Sequence, residues 1–115
     1  MKKVVVTGLG VVSPVGTGRD EFFGGLLAAR SGIRRLSVEF MPRLASKIGG
    51  EVDFDGARFF PKAKLALLDR FSQFALAAAR EAIEDAGIDP ADPRKDRAGV
   101  YFGTGVGGAQ TLEGG

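Results

Sequence analysis

The chain has 115 residues and a mass of 12.0 kDa, which corresponds to about one domain and excludes a multidomain protein within this sequence. Hydrophobic residues make up 44% and charged residues 26%, so the composition excludes a disordered or collagen-like chain. The net charge of +2 does not indicate nucleic-acid binding. Because there is no cysteine and no histidine, the sequence lacks disulfides, thiolate nucleophiles, imidazole bases and the metal sites built on those ligands.

The N-terminal residues predict a buried strand. Lys3 to Thr7 is a β-branched run ended by Gly8, which is typical of a central strand in a covered parallel sheet, with Val4 to Val6 in the core. Met1 to Lys3 is similar to the start of a secretory signal, but glycines and a proline soon interrupt the apolar run. No stretch reaches the roughly 20 apolar residues of a membrane helix. We therefore expect a cytoplasmic protein with no membrane partner.

The next elements are a helix, a loop and a short strand. Thr17 is the expected N-cap of a helix over Arg19 to Ala29, with its apolar stripe at Phe22, Phe23, Leu26 and Leu27. Gly24 and Gly25 within that helix indicate close packing or a weak helix. The following thirty or so residues predict loop with one strand near Ala45 to Val52.

The strongest periodicity predicts one long helix that follows Pro61 and ends at Ala86. Its apolar face is rich in alanine and permits close approach of another backbone. Gly87 stands where a left-handed C-cap belongs, and Pro90 cannot continue the helix.

A second buried strand is predicted at Gly99 to Phe102, before the glycine-rich turn Gly103 to Gly108. The alternation of strands and helices predicts an α/β fold with a parallel sheet. Such sheets need more strands and helices than this sequence holds, so we expect an N-terminal piece of a longer protein.

Two motifs have simple alternatives. Gly8 to Ser13 is superficially similar to a dinucleotide fingerprint but lacks the third glycine and the later acidic residue, so a tight turn explains its glycines. The pairs Asp53 with Asp55 and Glu84 with Asp85 favour solvated surfaces over acid-base or metal chemistry. No catalytic residue, metal ligand or cofactor is predicted from these patterns.

Basic residues are concentrated in the middle of the chain. Residues 30–64 hold eight Lys and Arg against four Asp and Glu, a local excess of +4. This excess either attracts an acidic partner by long-range electrostatics or forms a scattered, solvated loop.

Five segments together resemble the N-terminal part of a β-ketoacyl-[acyl-carrier-protein] synthase. They are Val4 to Gly16, Ser31 to Ile33, Asp69 to Ala75, Ala79 to Ala82 and Gly103 to Gly108. Their order and spacing fit the family throughout, and the elongating KAS II-type synthases look most similar, with aromatic-polyketide synthases close behind. Residues 1–115 would then be an N-terminal synthase domain that is incomplete at its C-terminal side.

The resemblance implies a thiolase-like fold layered α/β/α/β/α and a homodimer when complete. The implied reaction is the decarboxylative condensation of an acyl thioester with malonyl-acyl carrier protein, in fatty-acid or polyketide synthesis. The family uses a cysteine nucleophile and two histidines, and this chain contains neither residue type, so it is not expected to be active alone. No cofactor is implied.

The resemblance also implies two sites. Val106 matches a position that lines and gates the acyl-chain pocket, although a plain core valine is an equally good interpretation. Lys62 and Lys64 stand where the family places basic residues that dock the acidic carrier protein. The neutral residues at 65–68 depart from that pattern.

Two other functions remain open. One is a noncatalytic synthase-like partner of the chain-length-factor type, in which the nucleophile is absent by design. The other is a free nucleotide-binding α/β module, which dinucleotide titration would detect.

Overall fold

The first helix, α1, comprises Arg19–Leu27, two residues shorter than predicted. The computed structural model describes residues 2–37, 43 and 45–105. Gly18, with a φ of 94°, is the N-cap, and Thr17 makes no capping hydrogen bond, so the predicted cap is wrong. The predicted apolar stripe is largely exposed, and Gly25 is the buried residue of α1. The helix ends in a turn where Ala29 adopts a left-handed φ of 55°.

Two short strands form an antiparallel pair. Strand β1 is Ile33–Arg35 and strand β2 is Ile48–Gly50, with Arg34 opposite Gly49. Strand β2 confirms part of the strand predicted near Ala45 to Val52. The described residues therefore form a mixed helix-and-strand fold, but the expected parallel pairing is wrong within this part of the chain.

One ion pair and two hydrogen bonds from Ser37 tie this hairpin to the chain that follows it. The Arg34 guanidinium donates two hydrogen bonds to Asp53, at 3.0 and 3.1 Å, and lowers the pKa of that carboxyl. The hydroxyl and the backbone N–H of Ser37 donate to Glu51 at 2.7 and 2.8 Å and lower its pKa. Both carboxylates therefore favour their charged forms in the folded hairpin.

The predicted long helix is broken into two. Helix α2 is Lys62–Leu65, helix α3 is Arg70–Ala86, and a short 3₁₀ helix at Gly56–Arg58 precedes them. Tight i to i−3 hydrogen bonds close α2, with Leu68 N–H donating to Leu65 C=O at 3.3 Å. The Gln73 side-chain amide then donates to the Leu68 carbonyl at 3.2 Å, so a side chain satisfies the backbone acceptor at the break.

The predicted end of the long helix is confirmed. Gly87 has φ 71° and ψ 27°, and its N–H donates to Glu84 C=O at 3.2 Å. Ile88 N–H donates to Ile83 C=O at 3.2 Å, which completes a Schellman motif. A second 3₁₀ helix follows at Pro93–Arg97.

The strands predicted at Lys3 to Thr7 and Gly99 to Phe102 are wrong. Neither segment is paired in the described chain, and Val4 and Tyr101 are 93% and 94% exposed. A strand needs a neighbour for its backbone groups, and a β-branched run without one has no sheet in which to bury its side chains.

The core is small. Phe54, Phe60 and Ala77 are its buried hydrophobic residues among those described. The chain exposes 9316 Å², whereas a compact 12.0 kDa protein exposes about 6,000 Å². Within the described ranges, none of the helices combines the length and the apolarity needed to cross a bilayer.

Candidate functional site

Four phenylalanines form the centre of the best-packed region. The Phe54 ring stacks on Phe59 and meets Phe74 edge-on, with centroids 5.1 Å apart in both pairs. Phe60 is 4% exposed, and Ala77 of α3 packs in the same cluster. These rings connect the 3₁₀ helix at Gly56–Arg58 to α3 and fix the chain segment that leads into α2.

Guanidinium groups cover these rings on the solvent side. The Arg70 guanidinium lies 5.4 Å from the Phe54 centroid and 5.1 Å from that of Phe74, and it donates to the Phe54 carbonyl at 2.8 Å. The Arg80 guanidinium lies 4.8 Å from the Phe60 centroid and donates to the Phe59 carbonyl at 2.9 Å. Both cations are held by a ring and a carbonyl together, a geometry that suits the planar guanidinium.

The predicted docking lysines lie beside this cluster. Lys62 and Lys64 are exposed on α2, and the Lys64 ammonium lies 5.8 Å from the Phe60 centroid. Arg58 lies 5.9 Å from the centroid of Phe59. Three exposed cations thus contact two adjacent rings, and Lys62 lies two residues before one of them; we call these four side chains the basic surface: Arg58, Lys62, Lys64 and Arg80.

Sequence reasoning placed the two lysines but missed Arg80. It lies 16 or more positions after the other members, and the pattern of α3 marks it only as a residue of the polar face. The adjacent pair Phe59 and Phe60, flanked by basic residues, is the signal that could have indicated a site for stacked cations.

The N-terminal glycines pack against the alanine face of α3. A Cβ at Gly8 would lie 2.7 Å from Ala86 N, and one at Gly10 would overlap the Ala78 carbonyl oxygen. Close helix contact, rather than the tight turn we expected, therefore explains these glycines. The contact also places the glycine backbone against a helix flank, which differs from the dinucleotide motif, where glycines approach a phosphate at a helix N-terminus.

Two carboxylates of α3 hold this segment. Glu81 accepts from Val11 N–H at 3.0 Å and from Arg19 N–H at 2.8 Å, so it provides the first turn of α1 with the acceptor that Thr17 does not supply. Asp85 accepts from Leu9 N–H at 2.9 Å and also binds the Arg19 guanidinium. The solvated role expected for Asp85 is therefore wrong, because it is a structural ligand of the backbone.

An apolar groove of about 740 Å³ lies on the opposite flank of α3. Its apolar lining comes from α3 and from the segment before Gly105: Leu68, Phe71, Ala75, Leu76, Ala79, Ile83, Val100 and Phe102. Arg80 stands at its border with the basic surface. Val106, the predicted pocket residue, lies outside the described residues.

Comparison with known proteins gives one consistent family. Residues 1–114 match the family model described as "Beta-ketoacyl synthase, N-terminal domain". The chain belongs to the β-ketoacyl synthase family.

Named members of the family are similar over almost the whole chain. A 3-oxoacyl-[acyl-carrier-protein] synthase 2 from Synechocystis is 39% identical over 113 residues, which are 97% of this chain and 27% of that protein. The tetracenomycin polyketide synthase ketoacyl synthase alpha subunit from Streptomyces glaucescens is 42% identical over 108 residues, 92% of this chain and 25% of the relative. The chain therefore spans about a quarter of the length of these relatives.

A solved structure agrees with these relatives. It is described as the ishigamide ketosynthase/chain length factor, and its match has a TM-score of 0.70 and 34% identity, over 95% of this chain and 27% of that one. The mixed helix-and-strand arrangement is thus that of a ketosynthase N-terminal segment. These similarities confirm the family expected from the five sequence segments.

Proposed function

We propose that this chain is the N-terminal segment of a 3-oxoacyl-[acyl-carrier-protein] synthase that elongates acyl chains by decarboxylative condensation with a malonyl-carrier protein. The match of residues 1–114 to the family model carries this proposal. The names of the relatives support it, since they include fatty-acid-type and polyketide-type synthases.

The chemistry must be completed by residues outside this sequence. Condensation needs a nucleophile that accepts the acyl group and donors that stabilise the enolate formed when carbon dioxide leaves. The 115 residues contain no cysteine and no histidine. We therefore assign the nucleophile and the decarboxylating groups to the remaining part of a longer, cytoplasmic chain, which forms the layered thiolase-like fold and a homodimer.

This segment contributes both to the fold of the domain and to recognition of the acyl chain. Its long helix α3 lines an apolar groove together with Val100 and Phe102, and Val106 follows these residues closely in sequence. We assign Val106 to the wall of the acyl-chain pocket. Val106→Phe in the complete synthase should shorten the longest acyl chain that is made, and an unchanged product length would remove Val106 from the pocket.

Lys62 and Lys64 are assigned to docking of the carrier protein. Both are exposed, and Lys64 is held near the Phe60 ring beside further cations. A cationic surface of this kind increases the rate of encounter with an acidic protein and orients it.

A second function is favoured by one observation. The solved structure that matches this chain is described as a ketosynthase together with a chain length factor. A noncatalytic, synthase-like partner of the chain-length-factor type would use the same N-terminal fold.

The coding sequence downstream of Gly115 at its source separates the two. A reading frame that continues into a Cys-Ser or Cys-Ala elbow and two histidines supports the enzyme. A glutamine in place of the cysteine supports the noncatalytic partner. A stop codon directly after Gly115 contradicts the enzyme for this product.

A further inference from the structure

We propose that Arg58 and Arg80 complete the basic surface as an anion-binding site for an acidic protein, held in a fixed geometry by Phe59 and Phe60. The inference rests on the proposed function, since that function supplies an acidic carrier protein as the partner. It extends the docking site beyond the two lysines to two arginines that lie apart from them in sequence.

The Arg80 side chain is held in a fixed position. Its guanidinium lies 4.8 Å from the Phe60 centroid, and one of its nitrogens donates to the Phe59 carbonyl at 2.9 Å. A guanidinium has five N–H donors, so four remain after this bond. Because the ring and the carbonyl already restrict the side chain, binding an anion costs less conformational entropy than it would for a free arginine.

Lys64 lies close to Arg80. Lys64 and Arg80 contact the same Phe60 ring at 5.8 and 4.8 Å, so their charges are separated by no more than the sum of these distances. That limit is close to the Debye length of about 10 Å at 0.1 M salt. The two charges therefore lie within about one Debye length of each other at 0.1 M salt.

Arg58 lines a pocket together with Glu81 and Glu84, but among the described residues neither carboxylate forms an ion pair with a member of the basic surface. Within the described ranges, the ion pairs involve Arg19, Arg34 and Arg94, and none involves the basic surface. Asp55, the nearest acidic residue in sequence to Arg58, uses its side chain to accept from Ala57 N–H at 3.1 Å. The cations are thus available to an external partner.

The charge pattern fits a protein better than a nucleic acid. Four cations on a chain of net charge +2 form a small patch, whereas proteins that hold a nucleic-acid backbone commonly make about 6 to 10 phosphate contacts. A few carboxylates on one face of a folded partner match such a patch in number. The partner is therefore an acidic protein surface.

The test measures binding of the complete synthase that contains these residues to a fluorescently labelled apo-acyl carrier protein, which lacks the prosthetic arm, by anisotropy. The double variant Arg58→Gln/Arg80→Gln should raise the Kd about tenfold, as loss of two pre-organised charge contacts predicts. The matched control Lys95→Gln/Arg97→Gln removes the same charge from the 3₁₀ helix at Pro93–Arg97 and should change the Kd less than about twofold.

Two further variants separate the possible failures. Arg80→Lys keeps the charge but loses the stacked fork, so an intermediate Kd supports a fixed guanidinium. Lys62→Gln/Lys64→Gln reports on docking by the lysines alone. The far-UV circular dichroism of every variant should show an unchanged helical signal, which excludes unfolding as the cause of weaker binding.

Each outcome is decisive. If the wild-type synthase binds no carrier protein, the proposed docking function fails together with this inference. If the lysine variant weakens binding while the arginine variant with normal helical signal matches its control, only this inference is overturned. Binding of duplex DNA as tight as that of the carrier protein would also overturn it, in favour of a phosphate-backbone partner.

Discussion

Because Gly8 and Gly10 have no side chains, the N-terminal segment can pack closely against α3. Gly8 and Gly10 contact positions one turn apart on α3, about 6 Å, where an alanine face leaves room for another backbone. Gly24, in contrast, has nothing within 4 Å of the position where a Cβ would stand. The same residue type is thus required at one site and dispensable at the other.

This difference gives a paired prediction. Gly10→Ala forces a methyl group into the Ala78 carbonyl of a rigid helix and should lower the midpoint of thermal loss of the helical signal by roughly 5 to 15 °C. Gly24→Ala should raise the midpoint by a few degrees, because alanine favours the interior of α1 by about 1 kcal/mol. Equal effects of the two substitutions would refute the assigned packing. The measurement is far-UV circular dichroism of both variants.

At the level of elements, α3 organises the N-terminal third through its acidic residues. Glu81 accepts two backbone N–H groups from different elements and lies near the Arg19 guanidinium. Helix α1 therefore begins where a side chain of another helix provides an acceptor. Local capping residues do not set this boundary.

Replacing Glu81 by glutamine should loosen one of the two attachments. The amide keeps one acceptor oxygen, so one of the two donors, Val11 N–H or Arg19 N–H, loses its partner. We expect amide hydrogen-exchange protection at the position that loses its acceptor to fall about tenfold, which corresponds to about 1.4 kcal/mol. Glu84→Gln, on the exposed side of the same helix, is the control and should leave protection unchanged. Equal loss in both variants would mean that charge, rather than the acceptor, is responsible.

The β1–β2 hairpin should open in acid. Hydrogen bonds from Ser37 lower the pKa of Glu51 below its ordinary 4.5, and Arg34 lowers that of Asp53 below 3.8. A depressed folded-state pKa contributes stability that is complete above the ordinary value and is lost as the pH falls through the folded value.

Protection of Leu36 N–H, which donates to Lys47 C=O at 2.9 Å, should therefore be constant from pH 7 to about 5 and fall below about pH 4. Constant protection down to pH 2 would contradict these assignments. Asp53→Asn should lower protection at neutral pH and reduce its dependence on acid.

At the scale of the whole molecule, apolar surface is left uncovered. The exposed area of 9316 Å² exceeds the roughly 6,000 Å² of a compact protein of this mass, and the exposed large hydrophobic residues include members of the apolar groove and of the two unpaired segments. Surfaces of this kind favour association.

We therefore expect the isolated 115-residue chain to associate or precipitate at micromolar concentration. Sedimentation velocity should find species heavier than the 12.0 kDa monomer, and an environment-sensitive apolar dye should bind. A monodisperse monomer with a single cooperative unfolding transition would contradict this expectation.

Structural features that depend on a few neighbouring residues could be predicted from the sequence. Gly87 ends α3 as expected, because a left-handed C-cap depends on a few neighbouring residues. The start of α1 and the position of β2 were also close to prediction. The family followed from five segments in register, since their order carries more information than any one glycine motif.

Features that depend on distant residues could not be predicted. The long helix breaks between Leu65 and Arg70 although its periodicity continues, and the Gln73 side chain satisfies the Leu68 carbonyl at the break. Arg80 lies near Lys64, one of the two lysines proposed for docking, because both side chains contact the Phe60 ring. The runs at Lys3 to Thr7 and Gly99 to Phe102 have strand composition, but composition does not provide the neighbours that a strand requires.

The most direct test of the central claim is a condensation assay on the product of the complete reading frame that contains these residues. Incubation with an acyl thioester and malonyl-carrier protein should yield the 3-oxoacyl product together with carbon dioxide, detected by mass spectrometry. Weaker carrier binding by the Lys62→Gln/Lys64→Gln variant should raise the KM for the carrier protein more than it lowers kcat. A complete, folded product that neither decarboxylates malonyl-carrier protein nor forms the 3-oxoacyl product would contradict the synthase assignment and favour the noncatalytic partner.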